Sequence, residues 1–389
     1  MQGSKPLLFA LSLSLLAVAC NRNAESPATP AAPATLANAV TPATPATAAT
    51  PASTPPQADA QMQAVLDQLG KLGGKPIETL TAVEARKQPS PADAVKALLE
   101  SQGKPTTPEA VAKVDNRTFP GPRGAVPIRI YTPEGEGPFP VVLYIHGGGW
   151  VIADLDTYDA SPRAIANAAK AVVVSTHYRQ GHEHPFPAAH EDTKAAYQWL
   201  LKNAASLGGD PKRIAVVGES AGGNMAANVS IAARDNQWQA PLAQVLVYPV
   251  ADDDMNSPSY IENANAKPLN KPMMEWFAKN YLGDASKASD PRIALVDQAN
   301  LANLPPTTII LAQIDPLRSE GERLGEKLRA AGVPVTVQRY DGVAHEFFGM
   351  GAVVDKAKDA QQLAGKQLQA AFSSTAPAST APASNATSP

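Results

Sequence analysis

The stretch IAVVGESAGGN, Ile214–Asn224, passes from branched apolar residues straight into a serine hemmed by small residues. RIAVVG reads as a buried strand and AGGNMAANVSIAARD as the helix after it, which puts Ser220 on the turn between them. A strand that turns abruptly into a helix crowds its own backbone. Gly218 and Gly222, two residues to either side of the serine, remove the Cβ atoms that would collide. The hydroxyl is then held at the tip of the turn, beside a helix N-terminus that favours developing negative charge. Glycines also mark phosphate cradles and plain tight turns, so the meaning of Ser220 depends on partners elsewhere in the chain.

The same alternation extends outward. PVVLYIHG precedes a helical pattern through SPRAIANAAK, and AVVVSTHY precedes EDTKAAYQWLLKNA. Beyond Ser220 come AQVLVYPV, TTIILAQID with a helix through SEGERLGEKLRAAG, and VPVTVQRYDG. Strands of β-branched residues separated by single amphipathic helices predict an α/β fold, a mostly parallel sheet with helices on both faces. In such sheets function collects beyond the C-terminal ends of the strands.

A serine hydroxyl is a poor nucleophile without a base, and the usual base is a histidine oriented by a carboxylate. Of the six histidines, His146, His177, His182, His184 and His190 precede Ser220 and only His345 follows it. For a nucleophile on a strand-to-helix elbow the chain order is serine, acid, histidine, which selects His345, in the loop DGVAHEFF. Two strand ends offer the acid: Asp315 after TTIILAQI, and Asp252, Asp253 and Asp254 after AQVLVYPV. Asp315 is favoured, because a single aspartate opening DPLRSE is better placed than a run of three, which more often caps a helix or faces solvent.

An oxyanion site is also needed. VVLYIHGGGW, Val141–Trp150, ends an early strand in three glycines whose amides can point into a site unobstructed. The amides of Gly148 and Gly149, with that of Ala221, are the candidate donors, and His146 is expected to shape the loop. No lysine followed by serine or threonine comes after these glycines and the dinucleotide pattern is not met, so no cofactor is expected.

Together HGGGW, GESAGGN, DPLR and the late histidine resemble the bacterial hormone-sensitive-lipase-like esterases of the α/β-hydrolase superfamily, over roughly Val114–Met350. The resemblance implies the α/β-hydrolase fold and a serine carboxylesterase acting through an acyl-enzyme on small-molecule esters of short to medium acyl length. It also implies no metal, which argues against a ligand role for His182 and His184. A helical cap is implied too, formed here by about 61–101 and 257–282. Separately, the aromatic residues Trp150, Trp276, Phe277, Phe347 and Phe348 are candidates to line the site, with burial in the core as the alternative. The segment YRQGHEHPFPAAHED departs from the family at Gln180, Gly181 and His182, where leucine, alanine and proline are usual. Glu346 stands where the family usually has glycine. A serine peptidase or a non-catalytic binding protein on the same fold are the alternatives.

The rest of the chain bounds these readings. Among 389 residues the net charge is -3 and no basic cluster stands out, which argues against a nucleic-acid partner. No internal apolar run reaches the roughly 20 residues a membrane-spanning helix needs. MQGSKPLLFALSLSLLAVAC, residues 1–20, reads as a signal peptide whose end resembles a lipobox. Cys20, the only cysteine, would then carry a lipid and anchor an exported protein to a membrane. Asn21 after it favours the outer membrane. Residues 21–60, rich in alanine, proline and threonine, read as a tether, and 373–389, with the repeat TAPASTAPAS, as a disordered tail. The folded domain is expected over 61–372. Oligomeric state has no signal in the sequence.

Overall fold

The computed structural model describes residues 56–374. The signal-like segment with Cys20, nearly all of the expected tether and the tail from 375 onward lie outside the described residues.

The described residues form an eight-stranded sheet in the order β1-β2-β4-β3-β5-β6-β7-β8. The strands are β1 (Lys113–Gly121), β2 (Gly124–Thr132), β3 (Phe139–Ile145), β4 (Val172–Thr176), β5 (Gly209–Glu219), β6 (Gln244–Val247), β7 (Thr307–Ile314) and β8 (Val335–Ala344). From β4 to β8 every pairing is parallel. A hairpin, β1 with β2, closes the other edge through antiparallel pairing of β2 with β4.

Side-chain alternation along a strand sends neighbours to opposite faces, and the core follows that rule. Val141, Leu143 and Ile145 of β3 join one apolar cluster, with Tyr197, Met225 and Leu324, whereas Val142 and Tyr144 join another with Ile165, Ala364 and Leu368. The first cluster lies under the helices Ala188–Asn203, Ala221–Asp235 and Arg318–Ala330; the second lies under Ala160–Ala169 and Asp355–Ser373. Each fully buried Val, Leu or Ile contributes roughly 1.5–3 kcal/mol relative to exposure, so a sheet covered on both faces has reason to be almost uniformly apolar in its central strands.

Several details differ from the sequence expectation. Order begins before residue 61: Asp59 caps the helix Ala60–Lys71 by accepting from the Met62 amide at 2.9 Å, and its own amide donates to Gly342 O at 2.8 Å. The last helix runs to Ser373. The DGVA segment, expected as loop, is the end of β8, because the strand continues until its partner β7 ends. The β1–β2 hairpin and the last helix were not anticipated, although Val126, Ile128 and Ile130 are buried in alternation along β2.

The helices at the N-terminal end, Ala60–Lys71 and Pro91–Ser101, and those of the 257–282 segment, Pro258–Glu262 and Lys271–Leu282, flank the C-terminal edge of the sheet. Arg86, between the first two, ties this layer to the body of the fold. Its Nε donates to Val151 O at 2.8 Å and its Nη2 to Gly181 O at 3.1 Å, and the guanidinium pairs bidentately with Glu183 at 2.6 Å.

Candidate active site

The sheet delivers four strand ends to one place. His146 follows β3, Ser220 follows β5, Asp315 follows β7 and His345 follows β8, each as the residue next after its strand.

Ser220 has φ 55° and ψ −121°, a conformation that costs a residue with a Cβ on the order of 1–3 kcal/mol and persists only when its surroundings impose it. They do so by close approach. A Cβ on Gly218 would collide with the carbonyl of Gly222, and one on Gly222 would collide with the carbonyl of Ile145. The turn is pinned by Ser220 N donating to Val247 O at 2.8 Å, while Ser220 O accepts from Asn224 N at 3.1 Å. The buried serine therefore presents Oγ at the start of the helix Ala221–Asp235.

Ser220 Oγ lies 3.1 Å from His345 Nε2, and His345 Nδ1 lies 2.7 Å from Asp315 Oδ2. Asp315 Oδ1 accepts from the Leu317 amide at 2.9 Å, which fixes the carboxylate plane. Burial is the largest influence on His345 and opposes its charge, but the surrounding carboxylates, Asp315 foremost with Glu346 and Glu219, together raise the imidazole pKa above its usual 6.5. Asp252, the competing acid, is held elsewhere: its carboxylate pairs with Arg323. Asp253 accepts from Ser289 Oγ.

Gly148 and Gly149 take φ values of 89° and 56°, and Ala221 occupies the first turn of its helix. Among the described residues no acceptor pairs with the amides of these three residues, whereas Gly148 O already accepts from Val151 and Ile152. A Cβ at Gly148 would run into the Ile152 carbonyl, so only glycine suits both the backbone and the space. Beneath the loop, His146 Nδ1 contacts Gly147 O at 2.9 Å and Nε2 contacts His177 Nδ1 at 3.0 Å. Burial pushes the His146 pKa down to about 3, so this ring is neutral and shapes the loop, as expected from its position. His190 is likewise a buried core residue, between Tyr281 and Asn224. His182 and His184 are exposed.

Above Ser220 and His345 opens a cleft of about 630 Å³. Its walls include Leu66, Leu69 and Ile77 from the N-terminal helical layer, and Met273, Met274 and Phe277 from the helix Lys271–Leu282. Of the aromatic residues considered from sequence, Phe277 lines this cleft. Trp150 stacks on Tyr281, Trp276 donates to Leu80 O, and Phe347 and Phe348 are fully buried in the core.

Two carboxylates border the site, Glu219, which the sequence does not single out, and Glu346, which stands where the sequence departs from the family pattern beside the pocket. Glu219, fully buried before the serine, accepts from the hydroxyls of Tyr144 and Tyr248, and burial raises its pKa to about 7. Glu346, after the histidine, adopts φ 70° and accepts from Tyr158 Oη at 2.6 Å. Burial raises its pKa, with His345 opposing. Its Tyr158 partner lies 188 residues away, so only the departure at this position was visible in the sequence.

A serine on such an elbow, at the carboxyl edge of a largely parallel sheet, defines the class, and the chain belongs to the α/β-hydrolase family, whose family model, described as alpha/beta hydrolase fold, matches residues 142–349. Among curated relatives, the esterase LipI of Mycobacterium tuberculosis is 42% identical over 260 residues, covering 66% of this chain and 81% of the relative. The ethyl acetate hydrolase of Pseudomonas putida is 32% identical over 322 residues, covering 81% of this chain and 98% of its own. Among solved structures, the hyperthermophilic esterase from the archaeon Pyrobaculum calidifontis superimposes with a TM-score of 0.73 at 33% identity, covering 81% of this chain and 98% of that one.

Proposed function

We propose that the protein is a serine carboxylesterase that hydrolyses esters of short to medium acyl length through an acyl-enzyme on Ser220. It is a carboxylic ester hydrolase by family and relatives; the catalytic roles and the acyl range are the proposal. The observation that carries it is the continuous hydrogen-bonded line at the floor of the cleft, Ser220 Oγ to His345 at 3.1 Å and His345 to Asp315 at 2.7 Å.

In the first half-reaction Ser220 Oγ attacks the ester carbonyl carbon and His345 Nε2 takes the hydroxyl proton. The Gly148, Gly149 and Ala221 amides hold the developing oxyanion, and removal of one such donor typically lowers rate by on the order of 100–1000-fold. Collapse expels the alcohol, which receives the proton from His345. In the second half-reaction a water attacks the acyl carbonyl, gives its proton to His345, and the acid departs as the proton returns to Ser220 Oγ. Asp315 orients the ring and stabilises the imidazolium without taking the proton. The aliphatic and thioether side chains of the cleft walls, Leu66, Leu69, Met273 and Met274, favour an apolar acyl chain over a charged one.

The test is hydrolysis of p-nitrophenyl esters from acetate to palmitate by the full chain and its Ser220→Ala variant. We expect turnover to peak at short to medium chains and to fall by on the order of a million-fold with Ser220→Ala. An optimum at the longest chains overturns the acyl range, and undiminished turnover by the variant overturns the nucleophile.

A further inference from the structure

We propose that Glu346, together with His345, forms a dedicated site for the water that hydrolyses the acyl-enzyme. This inference rests on the serine-esterase reading above and assigns a role to a cleft carboxylate that the triad leaves unused.

Glu346 Oε1 lies 3.9 Å from His345 Nε2. That is too long for a hydrogen bond and is the separation at which one water bridges two polar atoms. An oxygen about 2.8 Å from each atom makes an angle of about 90° between them, close to the angle between a water's own two O–H bonds. Both atoms are acceptors in the acyl-enzyme. With Nδ1–H given to Asp315, Nε2 of the neutral imidazole carries a lone pair, and Oε1 has one lone pair engaged by Tyr158 Oη at 2.6 Å and another free. A water placed there donates one hydrogen to each and directs its own lone pair at a carbonyl carbon bonded to Ser220 Oγ, which stands 3.1 Å from the same Nε2.

The surroundings fit this role. The Glu346 side chain is 21% exposed, and it lines the substrate cleft with Ser220 and His345. It also lines a second, smaller cavity of about 40 Å³ with Tyr158, Ser161 and Glu219, larger than the roughly 10–15 Å³ one water requires. Glu346 thus stands between a space of water dimensions and the reacting atoms. Tyr158, buried and anchored below the carboxylate, is a positioning residue.

The step balances as follows. The water oxygen forms a bond to the acyl carbon, and one of its protons passes to His345 Nε2. The other remains hydrogen-bonded to Glu346, which takes no proton. The tetrahedral intermediate then breaks its bond to Ser220 Oγ, which recovers the proton from His345. During acylation the leaving alcohol oxygen needs that proton from Nε2 but has no second hydrogen to give, so Glu346 acts selectively on deacylation.

The test is transient kinetics with p-nitrophenyl acetate on the full chain and on Glu346→Gly and Glu346→Gln, with methanol as a competing acyl acceptor. Glycine accepts the φ of 70° without strain, and the burst amplitude counts correctly folded sites. We expect the acylation rate within about threefold of wild type and decay of the acyl-enzyme at least about tenfold slower in Glu346→Gly. Glu346→Gln should be intermediate, because its amide oxygen still accepts, and the share of methyl acetate over acetate should rise at least about threefold. Equal losses in acylation and deacylation, or an unchanged decay and partition ratio, overturn the proposal and leave the triad reading intact. Absence of any Ser220-bound acyl group in wild type overturns the triad reading itself.

Discussion

Asp315 Oδ2 lies 2.7 Å from Nδ1 of His345, thirty residues away along the chain, because the two follow the adjacent parallel strands β7 and β8. The register of that pair, which ends with Ile314 opposite Ala344, places the next residue of each strand side by side. An acid and a base are thereby fixed by backbone pairing before any side-chain contact is counted. Replacing Asp315 with asparagine should keep the fold and lower kcat by on the order of 10⁴, through loss of the tautomer that presents a lone pair to Ser220. Asp252→Asn should leave kcat within a few-fold, since that carboxylate pairs with Arg323. Steady-state kinetics on the two variants separates the two acids offered by the sequence.

The pH profile follows from the same pair. In the proposed mechanism His345 accepts the serine proton, which an imidazolium cannot do, so protonation of His345 should abolish activity. Burial lowers the His345 pKa, and the carboxylates of Asp315, Glu346 and Glu219 together reverse the sign and raise it. A raised pKa extends the inactive form to higher pH, so the acid limb of kcat/KM should have its midpoint above 6.5 and activity should be lost below it. In Asp315→Asn the limb should move to lower pH, because burial is then opposed by fewer charges. A titration of kcat/KM between pH 5 and 9 reads both.

The glycine loop proposed to hold the oxyanion makes a stricter demand. Gly148 combines φ 89° with a Cβ position already taken by the Ile152 carbonyl, so Gly148→Ala must shift the loop. The expected outcome is a fall in kcat of about 100-fold or more, with KM changed far less. A proportional rise in KM at constant kcat would mean that this loop binds substrate without stabilising the transition state.

The membrane anchor is proposed from the sequence alone, on the apolar run Leu7–Ala19 and the LAVAC ending at Cys20. Cys20→Ser should move the protein from the membrane fraction to the soluble fraction of cells expressing the full chain. Fractionation followed by immunoblotting checks it; retention in the membrane fraction by the variant contradicts the anchor.

The elements that were readable from sequence are those whose cause is local. Gly218 and Gly222 flank Ser220 within five residues, and His345 is the sole histidine beyond the elbow, so spacing and chain order suffice. The hairpin is weakly marked in the sequence because β1 is largely exposed, with Phe119 its buried residue, although the alternation of Val126, Ile128 and Ile130 carries a period-two signal. The last helix buries mainly small residues, Ala357, Ala360 and Ala364, at helical spacing, which gives little contrast in hydropathy. Glu346 is legible as a departure beside the pocket, but Glu219 and the tyrosine partners of both carboxylates are not, since Tyr144, Tyr248 and Tyr158 come from distant segments brought together by the sheet. The wall-forming role of Phe277, against the burial of Phe347 and Phe348, depends likewise on packing between layers.

The central claim is that Ser220 carries the acyl group, and rapid acid quench of the enzyme with p-nitrophenyl butyrate followed by peptide mass mapping tests it most directly. The account predicts a butyryl increment on the peptide containing Ser220, absent from Ser220→Ala and persisting longer in Glu346→Gly. Turnover of the ester with the acyl group on another residue, or with no covalent adduct in any variant, would contradict it.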